Sequence, residues 1–401
     1  MDLLGILQDL AVPRPNGSAA LDATRERLVA LLEGTGVSVS VEPFIVRPHM
    51  QALVGLALLA LAVGVVLAVR GRRLGIALLL AALIPAIYLL EFERGYPVVS
   101  WLGQKPAYNI VVDWSPGAAG DPGSGTEERP LVILAAHYDS KTEVFDHRAR
   151  QPIYSAAPGA MAALLLVALL GLAAEHVGAL GCFTRGPGRT GLLAVAVAAT
   201  AVIALLAFSF AGGHLLPRKS PGACDDGTAV AILAGLAADL PSLGLSGTDV
   251  RIILFTGEEV NCQGSAAYVA GHPELADRAR KGTVRVINLE CLGGEGELSY
   301  SRAGGTFLRR YAASAELVGM IDQALAEHGS PPLKPAPFSY DGARSFMAAG
   351  VPAVTVCQVR PDHGDSYHNA GDDLSKVVPG EMERVLAVLK TTLQLIDRVR
   401  G

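Results

Sequence analysis

Four stretches of the chain carry no Asp, Glu, Lys or Arg: Met50 to Val69, Leu74 to Leu90, Gln151 to Ala174 and Thr190 to Gly213. A bilayer core takes about 20 apolar residues as a helix. The first, third and fourth stretches supply that length; the second has 17 residues and contains Pro85. A helix at a water-facing surface needs a polar face, and these have none. They predict four transmembrane helices. Arg70-Gly71-Arg72-Arg73 joins the first two and Glu175 to Arg189 joins the last two, so they read as two hairpins.

Elsewhere the pattern is that of a folded polar domain. Leu21–Glu33 has helical spacing, and Val37–Val46 alternates with period two, as a half-buried strand does. Asn109–Trp114 reads as another short strand. Leu131–Ala136 is a continuous apolar run, as in a strand buried on both faces, and Val250–Thr256, Val284–Leu289 and Val351–Cys357 read as further buried strands. Helices are predicted at Thr228–Leu240, from Gly264–Ala270, over Phe307–His328 with an interruption at Gly319, and at Glu381–Arg400. Strands alternating with helices imply an α/β fold, a mainly parallel mixed sheet with helices on both faces. The predicted organisation is an N-terminal part over 1–49, a first hairpin over 50–90, domain sequence over 91–150, a second hairpin over 151–213, and the rest of the domain over 214–401.

Composition sharpens this. The 401 residues are 51% hydrophobic and only 18% charged, an apolar excess that excludes a disordered chain. A net charge of −5 argues against a nucleic-acid binder, and the uncharged stretches make a lipid bilayer the expected partner. Five scattered cysteines, none in a Cys-x-x-Cys pair, exclude a disulfide scaffold and a thiolate zinc ribbon. Short Arg-rich connections favour the cytoplasm. The expectation is therefore a multi-pass bacterial plasma-membrane protein whose large polar portion is extracytoplasmic. Met1–Leu10 lacks the basic residues of a signal peptide.

The candidate chemistry sits where strands end. His137-Tyr138-Asp139 follows the first apolar run. Ser220-Pro221-Gly222-Ala223-Cys224-Asp225-Asp226-Gly227 leads from the fourth apolar stretch into a helix. Gly257-Glu258-Glu259, then Glu290, then Tyr367-His368-Asn369 follow later runs. Ligands bind at the carboxyl ends of parallel strands, and two His with several carboxylates suit two zinc-type cations sharing a carboxylate. Cys224, Cys262 and Cys291, beside these motifs, read as small core residues rather than soft ligands.

In this order the motifs resemble the M28 family of zinc-dependent peptidases, which includes co-catalytic aminopeptidases. The resemblance spans Val37–Trp114, Leu131–Ser140 and Ser220–Arg400 and leaves the hairpins as insertions. It implies that His137 and Glu290 bind one zinc ion, that Glu259 and His368 bind another, and that Asp225 bridges both. It also implies that Glu258 is the general base and that Tyr367 donates to the developing oxyanion. Asp139 would fix the His137 tautomer, and Asp226 would be structural, after a peptide bond that is often cis in relatives. Glu290 stands where the family more often has Asp, and Asp341-Gly342 where relatives often have Asp-His. Asp341 would shape the substrate pocket or cap a helix. Asp372 would support the metal ligands or cap a helix, and His363 and Asp365 read as a solvated loop. The implied activity is N-terminal peptide-bond hydrolysis. A single-metal glutaminyl cyclase-like acyltransferase and a catalytically silent membrane scaffold on the same fold are the alternatives.

Overall fold

The computed structural model describes residues 1–117, 129–183, 185–359 and 366–400. Two compact units are present. One comprises Met1–Pro48, Lys105–Lys141 and Arg218–Gly401; the other comprises His49–Gln104 and Thr142–Pro217.

In chain order the helices are α1 (Leu3–Leu10), α2 (Ala19–Glu33), α3 (Met50–Arg70), α4 (Leu74–Tyr88), α5 (His147–His176), α6 (Gly186–Gly212), α7 (Thr228–Asp239), α8 (Gln263–Gly271), α9 (Glu274–Lys281), α10 (Ala315–Glu327), α11 (Ala343–Ala348) and α12 (Pro379–Arg400). The strands are β1 (Ser38–Val46), β2 (Lys105–Trp114), β3 (Leu131–His137), β4 (Asp249–Phe255), β5 (Val284–Glu290), β6 (Glu297–Ser301), β7 (Ala303–Gly305), β8 (Arg310–Ala312), β9 (Lys334–Ala336) and β10 (Ala353–Val359).

The first unit is built on an eight-stranded sheet of order β1-β2-β4-β3-β5-β10-β6-β9. Its centre, β4-β3-β5-β10, is parallel, and β1-β2-β4 and β10-β6 pair antiparallel. All seven residues of β3 are buried. Side chains alternate between faces along a strand. Accordingly Val132, Leu134 and Ala136 join a core with α1, α2, α7, α10 and α12, whereas Ile133 and Ala135 join a second core with Tyr268, Leu275, Phe346 and Met347. Both cores need apolar partners from the strand, which is why its sequence reads as an unbroken apolar run. Helix α7 is buried from Thr228 to Ala237 and covers the first core.

The second unit packs α3 to α6 around one apolar cluster that includes Leu58, Ala62, Ala77, Leu164 and Ile203. Small residues allow close helix approach, as is usual where apolar helices associate without water. A Cβ on Gly55 would lie 2.9 Å from Ala207 Cα. All four helices are long and apolar enough to cross a membrane. The second is longer than its uncharged stretch because a π-helical turn, Leu89–Glu93, extends it. Glu91 is fully buried there, accepting the N–H groups of Val98, Val99 and Ser100 and the Ser100 hydroxyl. A carboxylate satisfied by four donors can be enclosed where an isolated one cannot.

The predicted helix over Phe307–His328 is shorter in the structure. Ser314 caps α10 by accepting the Leu317 N–H, and Arg310–Ala312 instead pairs antiparallel with Ala303–Gly305. The apolar pair Phe307-Leu308 that suggested an earlier start is exposed. Helices α1, α9 and α11 and the short strands β6 to β9 have no counterpart among the predicted elements. Residues 118–128 of the Ser115–Arg129 connector, and His363 and Asp365, lie outside the described residues.

Candidate metal centre and active site

The sheet delivers its polar residues to one edge. His137 is the last residue of β3 and Glu290 the last of β5. Glu258 and Glu259 lie in the turn between β4 and α8, and His368 in the turn before α12. Asp225 sits in an irregular turn before α7, with an Asp225–Asp226 cis peptide bond. That turn depends on Gly222, whose φ is +62°; a Cβ there would lie 2.6 Å from the Asp225 carbonyl oxygen. Asn261, Cys262, Cys291 and His368 also have positive φ without being glycine. Such conformations cost about 1–3 kcal/mol each and persist where the surroundings dictate them. All four lie in, or directly follow, the segments that carry the candidate ligands.

The two oxygens of Asp225 face different partners. Oδ1 lies 3.2 Å from His137 Nε2, and Oδ2 lies 3.0 Å from His368 Nε2. His137 Nε2 is also 3.3 Å from Glu290 Oε1, and His368 Nε2 is 3.0 Å from Glu259 Oε2. His137, Asp225, Glu259 and His368 are buried and Glu290 is nearly so. The potential ligand atoms form overlapping groups: His137, Asp226 and Glu290; Asp225, Glu290 and Cys291; and Asp225, Glu259 and His368. Both Asp225 oxygens, Glu259 Oε1 and Glu290 Oε2 are buried without a hydrogen bond. Desolvated carboxylate oxygens with no donor are costly. Aimed at one place beside two imidazoles, they are a donor set that fits divalent cations of zinc type.

The electrostatics say the same. Burial alone would lower the His137 pKa, but Glu290, Asp139 and Asp225 outweigh it and hold it well above the ordinary value. Burial alone would raise Asp225, but His137 and His368 hold it well below the carboxylate range. Glu290 is pushed up to about 7, chiefly by burial, with His137 opposing and Asp225 reinforcing. Burial also raises Glu258 well above its usual value, against the pull of His137. In the absence of a cation, this cluster keeps protons that ligands must lose.

Glu258 stands apart from the ligand groups. Its Oε2 is 4.0 Å from His137 Nε2, and its Oε1 accepts from the Cys262 thiol at 3.2 Å. Asp139 organises its loop. One Asp139 oxygen accepts the Glu259 N–H at 3.1 Å and the Asn16 amide at 2.6 Å. His137 Nδ1 is closer to the Asp139 carbonyl oxygen, at 3.1 Å, than to the carboxylate, at 3.6 Å. The tautomer contact expected of the carboxylate thus comes from the backbone of the same residue. Asp226 accepts the N–H groups of His137 and Cys291, tying the ends of β3 and β5 together. Asp372 accepts those of Cys224 and Asp225. Asp341 accepts the Ala343 N–H and the Thr355 hydroxyl, so it caps α11. The Tyr367 ring stacks on His368 with centroids 3.9 Å apart.

Two residues of this framework were not singled out from sequence. Asn16 Oδ1 accepts from Gly257 N–H and the Thr256 hydroxyl, so Asn16 joins the glutamate loop to Asp139. Arg14 is fully buried and donates to the carbonyls of Tyr138, Leu10, Val12, Pro221 and Gly222. It holds the segment after His137 against the segment before Asp225. Both lie in Pro13-Arg14-Pro15-Asn16-Gly17, a punctuated stretch without periodicity.

Residues 209–393 match the family model described as Peptidase family M28. No curated protein matches the chain in sequence. Solved structures share the fold at low identity. An aminopeptidase from an Aneurinibacillus species is 14% identical with a TM-score of 0.55, covering 98% of this chain and 92% of that one. A glutaminyl cyclase from Fimbriiglobus ruber is 15% identical with a TM-score of 0.55, covering 98% and 94%. A Zn-dependent exopeptidase from Parabacteroides distasonis is 14% identical with a TM-score of 0.54, covering 98% and 95%.

Proposed function

Residues 209–393 match the model of peptidase family M28, and from that premise we propose that the chain is a membrane-embedded, zinc-dependent aminopeptidase. The observation that carries the reading is the split of Asp225 between two histidines, each with its own glutamate. Such a site suits two zinc ions, one held by His137 and Glu290, the other by Glu259 and His368, with Asp225 shared. When bound, they would polarise the scissile carbonyl and acidify the attacking water. Glu258 takes the proton from that water and passes it to the leaving amine. Asp139 and Asn16 hold the Glu258 loop in place, and Tyr367 donates to the developing oxyanion. The zinc exopeptidase and aminopeptidase among the structural neighbours support this reading.

Membrane embedding is supported by what the helical unit leaves uncovered. Leu56, Leu67, Leu79 and Leu166 on α3, α4 and α5 are each more than half exposed. A water-exposed surface of that kind would aggregate; hydrocarbon suits it. The hairpins would make the chain a multi-pass protein of the bacterial plasma membrane, with the catalytic portion outside the cytoplasm.

The test is hydrolysis of unblocked peptides by detergent-purified protein, wild type beside Glu258→Ala, with zinc and after chelation. Zinc-dependent trimming from the amino end that falls about 10²–10⁴-fold in the variant supports the reading. A second reading, glutaminyl cyclisation, is favoured by neighbours such as the Fimbriiglobus cyclase, whose TM-score equals that of the aminopeptidase. It predicts one metal per chain and ammonia release from N-terminal Gln peptides. Metal-loaded protein that does neither would be a silent scaffold.

A further inference from the structure

Arg344 lies in the first turn of α11 and is buried, with 8% of its surface exposed. Its Nη2 donates to the Asn261 carbonyl at 2.7 Å and to Asn261 Oδ1 at 3.1 Å. Its Nη1 is buried with no hydrogen-bond partner, and among the described residues no carboxylate forms an ion pair with it. A guanidinium is charged at every physiological pH and is normally enclosed only with an anion to receive its fork of donors. This one has carbonyl and amide oxygens on one arm and no hydrogen-bond partner on the other, with the Asp341 and Glu258 carboxyls within electrostatic reach but not paired to it.

Its position gives that arm a purpose. Asn261 belongs to the turn that carries Glu258 and Glu259 and precedes Cys262, whose thiol contacts Glu258. The charges of Glu258 and Arg344 influence each other. The guanidinium is also held rigidly. The Tyr340 ring lies 4.1 Å from its centre, the Tyr340 hydroxyl is bonded to Asn261 Oδ1, and Ser345 is bonded to Ser265 of α8. A fixed, desolvated cation beside the base of a hydrolase is a preorganised receptor for an anionic part of the substrate.

We propose that Arg344 is a specificity-determining residue that receives a substrate carboxylate, so that this site prefers peptides bearing a carboxylate close to the scissile bond. The inference rests on the peptidase reading above. Two parts of a peptide supply that chemistry: an acidic side chain on the N-terminal residue, and the free C-terminus of a dipeptide.

The test compares matched substrates on the zinc-loaded full chain in detergent. One pair is a peptide beginning with Glu against the same peptide beginning with Gln. The other is Leu-Leu against Leu-Leu-amide. In wild type, one acid member is expected to exceed its amide by about 10- to 100-fold in kcat/KM, mainly through KM, as a charge-assisted contact implies. The pair showing the preference identifies the carboxylate. In Arg344→Gln the acid-to-amide ratio should fall to about one, and Arg344→Lys should retain part of it. A wild type with no preference in either pair overturns the proposal, as does a ratio that survives Arg344→Gln while all rates fall together. If no peptide is cleaved, the peptidase reading fails, and calorimetry decides this inference separately. Binding of glutamate over glutamine, or of leucine over leucinamide, that Arg344→Gln abolishes would sustain it. Equal binding by wild type would end it.

Discussion

Glu258 and Glu259 are consecutive in the chain yet face different partners. Glu259 reaches His368, whereas Glu258 lies between the Cys262 thiol and His137. This separates their expected phenotypes. Glu258→Gln should keep its zinc while losing turnover, whereas His368→Ala should lose zinc affinity by at least about 10- to 100-fold. Metal analysis after dialysis, beside a rate assay, reads both, and equal zinc loss in the two variants would contradict the assignment. Arg14 offers a test of a different kind. Lysine has the charge but not the fork, and cannot serve carbonyls on several segments at once. Arg14→Lys should destabilise the fold by about 2–4 kcal/mol in denaturant unfolding. A change under about 0.5 kcal/mol would show that its bonds to Pro221, Gly222 and Tyr138 matter little. The candidate ligand residues that the structure brings together were legible in sequence because each follows a buried strand or opens a helix. Arg14 and Asn16 were not, because what they hold together lies more than a hundred residues away.

At the scale of elements, the buried strands were the most readable part of the chain. A strand covered on both faces must be largely apolar, and β3, β4, β5 and β10 are, with few exceptions such as Arg251, Arg285, Asn288 and Thr355. Strands β6 to β9 are only three to five residues long, too short to show a period, so they left no pattern. The turn before α7 is the element on which the site depends most. Gly222→Ala would place a methyl group against the Asp225 carbonyl and force an L residue into the left-handed region. It should weaken zinc binding by about tenfold or more if Asp225 is shared between two ions as proposed. Unchanged zinc affinity in a competition titration would count against this. Gly244→Ala also lies at positive φ, in a loop with nothing within 4 Å of its Cβ. It controls for backbone strain alone and should leave zinc affinity as it is.

At the scale of the whole molecule, protons and metal compete for one cluster. Glu290 has its pKa raised from 4.5 to about 7 in the fold, so between those values the folded state binds more protons than the unfolded one. Stability then falls as pH rises. Glu258, also raised, acts in the same direction, and so does His137, whose favourable charge is lost as pH climbs through its elevated value. Chelated protein should therefore melt several degrees lower at about pH 8 than at about pH 5, and zinc should restore it most at the higher pH. A metal-free melting temperature that rises over that range would refute the picture. The helical unit makes a separate prediction: alkaline carbonate should leave the chain in the membrane pellet, and detergent should release it. Release by carbonate would show that the four helices are not embedded.

The sequence alone determined the alternation of buried strands and helices, the four uncharged spans and the order of the candidate ligand motifs. Each of these follows from local pattern, because burial on both faces, a lipid-length apolar run and a polar residue at a strand end are properties of short segments. Only the tertiary structure decided which Asp225 oxygen meets which histidine, that the Asp139 backbone serves His137, and that Arg14, Asn16 and Arg344 belong to the site. Those are relations between segments distant in the chain, set by packing at the carboxyl edge of one sheet, and no local pattern encodes them.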